Sequence, residues 1–224
     1  DTAAAVTAAG GKVLGAVKHP LNTPDFSSFL LQGQTSKAKV IGLANAGGDT
    51  TNAIKQAAEF GIVQGGQKLG ALLFFINDAK ALGAKVAQGL TFTDSFYWDD
   101  NDDTRAFSKR FAAKANKGQM PSMTQAGVYA AVLHYLKTLE AMGGNPHDGV
   151  KVVAKMKELP AVDKLFGNAP VRADGRRMVK AYLREVKKPE ESKGEWDLFK
   201  KIADISAEDA ARPLAESVCS LVKK

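Results

Sequence analysis

Residues 40–61 read VIGLANAGGDTTNAIKQAAEFG, and this stretch decides the fold. Val40 to Ala44 is a short unbroken apolar run, read as a strand. Asn45-Ala46-Gly47-Gly48 is a loop and Asp49 a helix cap; Ala53, Ile54, Ala57 and Ala58 then recur at helical spacing until Gly61 stops them. Strand, glycine loop and helix make half of a crossover unit, and the same alternation flanks it on both sides. Upstream, Ala-rich residues 2–9 predict a helix ended by Gly10-Gly11, and Lys12 to Lys18 predicts a strand. Asp25 caps a helix to about Ser36 with Phe26, Phe29, Leu30 and Gly33 on one face. Downstream, Leu69 to Phe75 predicts a third apolar strand, Asn77-Asp78 open a short helix ending at Gly83, and Gly89 to Thr93 predicts a fourth strand. Short turns between strands and helices in this order indicate an α/β fold with a parallel sheet and right-handed crossovers.

The pattern changes at Phe96-Tyr97-Trp98-Asp99-Asp100. Asp102 or Asp103 then caps a helix carrying Phe107 and Phe111. Pro121-Ser122 opens a long helix with Tyr129, Leu133, Leu136 and Leu139 as its apolar stripe, and Gly143-Gly144-Asn145-Pro146 ends it. A third helix runs from about Asp148 to Glu158. These helices bring no strand of their own, so their apolar faces need something to cover. Beyond Pro160 the period becomes two: residues 169–172 and 178–186 form a hairpin around Ala173-Asp174-Gly175, and Trp196 to Ile202 predicts one more strand. Ser206-Ala207-Glu208-Asp209 resembles a capping box that opens a terminal helix.

The 224 residues, 45% hydrophobic and 25% charged, have the composition of a globular protein and exclude disorder or a disulfide-built miniprotein. At about 150 residues per domain the length corresponds to about one and a half domains. No apolar run is long enough to span a bilayer, so no direct membrane insertion is expected of this chain. The net charge of +7 is spread along the chain without a nucleic-acid motif, which leaves a solvated basic surface as the simpler reading and no nucleic acid as a partner. A single cysteine, Cys219, excludes an internal disulfide and Cys-x-x-Cys metal sites. His19, His134 and His147 stand apart from one another and from any nucleophile, and each is read as a surface or packing residue. The run Asp99 to Asp103 lacks the alternation, central glycine and closing glutamate of a calcium loop, and a helix N-terminus accounts for it. No catalytic residues, metal or cofactor are expected. The stretch Gly47-Gly48-Asp49-Thr50-Thr51 is where an α/β sheet binds ligands, at the carboxyl end of a strand and the amino end of a helix. The apolar end of the next strand, Leu72 to Phe75, is either a second pocket wall or core.

Residues 10–62, residues 118–144 (GQMPSMTQAGVYAAVLHYLKTLEAMGG), the Asp-Gly hairpin and the closing PLAESVCSLV together resemble the type I periplasmic solute-binding proteins of ABC importers, in the Leu/Ile/Val-binding branch. The resemblance implies a Rossmann-like parallel sheet flanked by helices, with a late hairpin. It divides the chain into residues 1–93 and 164–203 of a C-terminal lobe, helices 94–163 of an N-terminal lobe, and a tail helix 204–224. It also implies that an N-terminal portion precedes Asp1 in the whole protein, that Cys219 has a disulfide partner there, and that this chain by itself binds solute weakly or not at all.

By the same resemblance the protein is a periplasmic receptor, not an enzyme, that closes on a small-molecule solute by hinge motion and hands it to a membrane permease. The ligand-binding positions are then Asn45, Ala46, Gly47 and Asp49, with Leu72 and Phe74 from the next loop, and the hinge lies at Thr93, Phe96 and Tyr97. Amino-acid binders of the family carry an aromatic residue where Ala46 stands and an acidic one near Leu72. Their absence implies an aromatic or short-chain carboxylate rather than an α-amino acid. The alternative function is a ligand-sensing domain of a receptor or amide-type regulator with the same fold; an α/β enzyme is disfavoured for want of a nucleophile, base and metal set.

Overall fold

The computed structural model describes residues 1–115, 118–144, 147–220 and 222. A five-stranded sheet takes β1 (Val40–Leu43), β2 (Lys68–Ala71), β3 (Thr91–Asp94), β6 (Ala181–Val186) and β7 (Phe199–Ile205) in that order. β1 to β3 pair in parallel, with Ile41 opposite Leu69 and Ala71 opposite Phe92. A two-stranded antiparallel sheet joins β4 (Val162–Asp163) to β5 (Gly167–Asn168). The helices are α1 (Thr2–Ala8), α2 (Ser27–Thr35), α3 (Gly47–Glu59), α4 (Ile76–Leu82), α5 (Ala84–Ala87), α6 (Asp102–Lys114), α7 (Met123–Ala141) and α8 (Gly149–Glu158). Among the described residues, no helix is long and apolar enough to cross a membrane.

The chain divides into two compact units. One comprises residues 1–74, 78–92 and 185–200; the other comprises 75–77, 93–184 and 201–224. Residues 164–184, which the family resemblance groups with 1–93, fall in the unit of the helices. Arg177 explains the grouping: it donates to Ala161 O at 3.0 Å and pairs with Asp163. The strands β3, β6 and β7 each begin in one unit and end in the other, at 92/93, 184/185 and 200/201.

In the first unit, α2, α3 and α5 pack around Phe26, Leu30, Ile54, Ile62 and Leu90, all buried. Gly33 lets α2 lie close on β1, since a Cβ there would come within 3.1 Å of Ile41 Cδ1. Phe92 contacts Phe74 and Phe199 with ring centroids 5.2 and 4.6 Å away, the edge geometry that aromatic quadrupoles favour. The second unit has its own core of Phe96, Phe107 and Ala126, against which Phe111, Met123, Leu165 and Phe166 pack.

Several elements differ from the sequence expectation. Lys12 to Lys18 forms no strand and lies exposed; an apolar run becomes a strand only where a neighbouring edge supplies its ladder bonds, and β1 takes none from it. α3 begins at Gly47, with Asp49 inside its first turn rather than as its cap. β2 stops at Ala71, so Leu72 to Phe75 is loop. The cap of α6 is Asn101, whose carboxamide accepts from Thr104 N while Thr104 Oγ1 accepts from Asn101 N. Leu136 on α7 is exposed, and the buried line is Ala126, Ala130, His134 and Thr138. The hairpin narrows to a single bridge between Val171 and Arg177 before β6 joins the large sheet. Among the described residues beyond Ser206 there is no α-helix: Asp209 N donates to Ser206 Oγ and that hydroxyl to Asp209 Oδ2, but the chain makes one turn, reaches Pro213 and continues as a single 3-10 turn at Leu214–Glu216. Asn145 and Pro146 of the predicted stop lie outside the described residues; Gly143 and Gly144 before them have φ of 72° and 84°, which glycine alone adopts readily.

Candidate functional site

The loops after β1 and β2 lie side by side in the first unit, because Leu72 N donates to Leu43 O at 3.0 Å. In the first loop Asn45 is half-buried and Ala46 exposed. Gly47 takes φ 57°, which turns the chain into α3, and the space where a side chain would stand is open. No side chain caps α3, so its first N–H groups face outward with the positive end of the helix dipole. Asp49 is buried, its Oδ2 accepting from Asn22 N at 3.1 Å. In the second loop Leu72 is 48% exposed, whereas Phe74 is 1% exposed and belongs to the aromatic core. Asn45, Ala46, Gly47 and Leu72 thus lie in the loops that follow two adjacent strands, while Asp49 and Phe74 are buried.

Asn45 is held from two sides. Thr50, fully buried, donates its hydroxyl to Asn45 Oδ1 at 2.9 Å, which leaves Nδ2 facing His19 Nε2 at 3.3 Å. Replacing Thr50 with Val keeps the shape and removes that donor, so we expect a loss of about 1–2 kcal/mol in urea unfolding; an unchanged midpoint would mean that Asn45 Oδ1 is solvated. His19 is the residue that sequence reasoning missed here. Its partner stands 26 positions away, and no local motif announces the pairing.

Of the three predicted hinge residues, Thr93 opens the 93–184 segment of the second unit, while Phe96 is in that unit's core. Tyr97 packs on Arg184, whose guanidinium carbon lies 5.2 Å from its ring centre and 5.0 Å from that of Tyr182. Arg184 is 1% exposed; its Nε donates to Asp94 at 2.6 Å and its Nη2 to Asp100 at 2.7 Å. Burial pushes the Asp94 carboxyl up to about 7, against the pull of the adjacent guanidinium. Burial works against the Arg184 charge too, but Asp94 and Asp100 outweigh it and hold its pKa above the ordinary value. Asp100 therefore does more than favour a helix start. Arg184, the last residue of the 93–184 segment, is a buried ion within the second unit.

The sequence pattern of the family described as Periplasmic binding protein matches residues 1–195. Leu/Ile/Val-binding protein homolog 6 of Brucella melitensis biotype 1 is 29% identical over 192 residues, 84% of this chain and 49% of that protein. A periplasmic binding protein from Burkholderia mallei superposes with a TM-score of 0.90 at 50% identity, covering 99% of this chain and 58% of that one. A solute binding protein of an ABC transporter from Rhodopseudomonas palustris HaA2, in complex with p-hydroxybenzoic acid, gives a TM-score of 0.74 at 25% identity, covering 90% of this chain and 54% of that one. The chain thus spans about half the length of the curated relatives it matches. With the parallel sheet, the open loop ahead of α3 and a family match over most of its length, the chain belongs to the periplasmic binding protein family.

Proposed function

We propose that the whole protein is an extracytoplasmic receptor of an ABC importer, not an enzyme, and that it captures a small aromatic or short-chain carboxylate for delivery to a membrane permease. Asn45, Ala46, Gly47 and Leu72 form this chain's share of the site, and its hinge lies in the strand passages that include Thr93.

One observation carries the choice of solute: the loops after two adjacent strands supply an uncapped helix start and an exposed leucine, and neither loop offers a free carboxylate. Residues 72–77 contain no acidic side chain, and Asp49 is buried on Asn22 N. An ammonium group without a paired anion is costly to desolvate, so an α-amino acid is poorly served here. An apolar body with one anionic or polar end is well served. The relative from Rhodopseudomonas palustris, crystallised with p-hydroxybenzoic acid, supports this class. The curated relative bears a Leu/Ile/Val-binding name, which makes leucine the proper competitor.

Thermal unfolding of the full-length protein with p-hydroxybenzoate, benzoate, isovalerate and leucine tests the assignment. Stabilisation of about 2.7 kcal/mol is expected for a carboxylate at 100 times its Kd, without any for leucine. A shift with leucine alone would overturn the choice of solute.

A further inference from the structure

We propose that His19 is a positioning residue for the solute site: its neutral imidazole orients the Asn45 carboxamide, and protonation of the ring undoes that orientation and weakens solute binding. The proposal rests on the reading of the Asn45 loop as the solute site. The hydrogen-bond network dictates the tautomer. His19 Nδ1 lies 2.7 Å from Pro20 O, a carbonyl that only accepts, so Nδ1 carries the proton. Nε2 is then the acceptor. It faces Asn45 Nδ2 at 3.3 Å, and with the nitrogen at that end Oδ1 is free to accept from the Thr50 hydroxyl. The chain of bonds has one consistent direction, from Thr50 to Asn45 to His19 to Pro20.

The ring is held for this task. Phe26 and Phe29 meet it edge to face, with centroids 4.8 and 5.9 Å away. Thr23, itself buried, donates to the same Pro20 carbonyl at 2.6 Å, and Asn22 N ties the loop to Asp49. The charged groups of the surrounding elements are Lys18 in the same loop, Asp25 before α2, and Asp49 in α3. The Asp25 carboxylate is taken up by the Ser27 hydroxyl and amide, which hold its pKa below the ordinary value. Asp49 is engaged by Asn22. A proton added at Nε2 makes that atom a donor facing the Asn45 amide donor, so the carboxamide must turn end for end, Oδ1 towards His19 and Nδ2 towards the Thr50 hydroxyl, which then accepts, and the group presented to the solute changes.

The test has two arms. Nitrogen NMR of this chain should find the Nδ1–H tautomer of His19 at about pH 8, with the Asn45 side-chain amide shifting at the midpoint of the His19 titration. In the full-length protein, calorimetry with p-hydroxybenzoate should show affinity falling about tenfold between about pH 8 and about pH 5. His19→Gln, whose amide oxygen reaches the Nε2 position as a permanent acceptor, should bind at pH 8 like the wild type and lose the pH step. An Nε2–H tautomer, an Asn45 amide that ignores the titration, or the same pH step in His19→Gln would each overturn the proposal. If p-hydroxybenzoate does not bind at either pH, that counts against the site reading, and the Asn45 amide decides this proposal by itself.

Discussion

Replacing Arg184 with Met is expected to destabilise the chain by about 3–5 kcal/mol at pH 8, because it removes one member of a buried ion cluster and strands the others. Met matches the aliphatic stem of Arg184 but lacks the guanidinium that lies over Tyr97 and Tyr182, so the loss includes that contact as well as the charge. The side chain of Asp94 is 5% exposed and cannot recruit water, whereas that of Asp100, at 21%, can do so in part. The cost should shrink at pH 5, where Asp94 is protonated and no longer asks for a cation. Urea unfolding at the two pH values measures both quantities. A loss below about 1 kcal/mol at pH 8, the worth of an exposed pair, would show that the cluster is wet.

The second large effect is a pH dependence centred on Asp94. Its carboxyl is raised from 3.8 to about 7, chiefly by burial. Between those values the native chain holds a proton that the unfolded chain has released. The associated stabilisation is complete below pH 3.8 and is lost as the pH rises through about 7, an effect on the order of 4 kcal/mol. Asp94→Asn keeps a carbonyl oxygen for Arg184 Nε and cannot ionise, while Asp100 still neutralises the guanidinium. The difference between wild-type and variant stability should therefore change across that window, with the variant equal to or more stable than wild type at pH 8. Two curves that stay parallel from pH 4 to pH 8 would remove Asp94 as the titrating group.

The parts of this fold legible in the sequence are those specified locally. Val40 to Leu43 and the helix after it were legible because a β-rich apolar run, two glycines and a helical period follow one another within 22 residues. Even there the cap was displaced, since the positive φ of Gly47 lets α3 begin before Asp49. Lys12 to Lys18 shows the limit: its apolar pattern is that of a strand, but pairing is a tertiary event. On α7 the stripe of large residues pointed to the wrong face, because Ala126 and Ala130 let neighbours approach more closely than leucine would. His134 completes that face through its bond to Met156 O at 2.8 Å. Within the candidate site, the glycine loop was legible as the turn from a strand into a helix start. The inward turn of Phe74 and the tether from His19 were not, because each depends on residues distant in sequence.

The three strand passages also bear on inheritance. Neither unit is a contiguous stretch of the chain, since the strands at 92/93, 184/185 and 200/201 carry it back and forth. A single recombination break therefore cannot transplant one unit without severing a strand of the shared sheet. A chimera that exchanges the loops of Asn45 and Leu72 can cut inside the first unit, whereas one that exchanges a whole unit must match every one of these junctions at once.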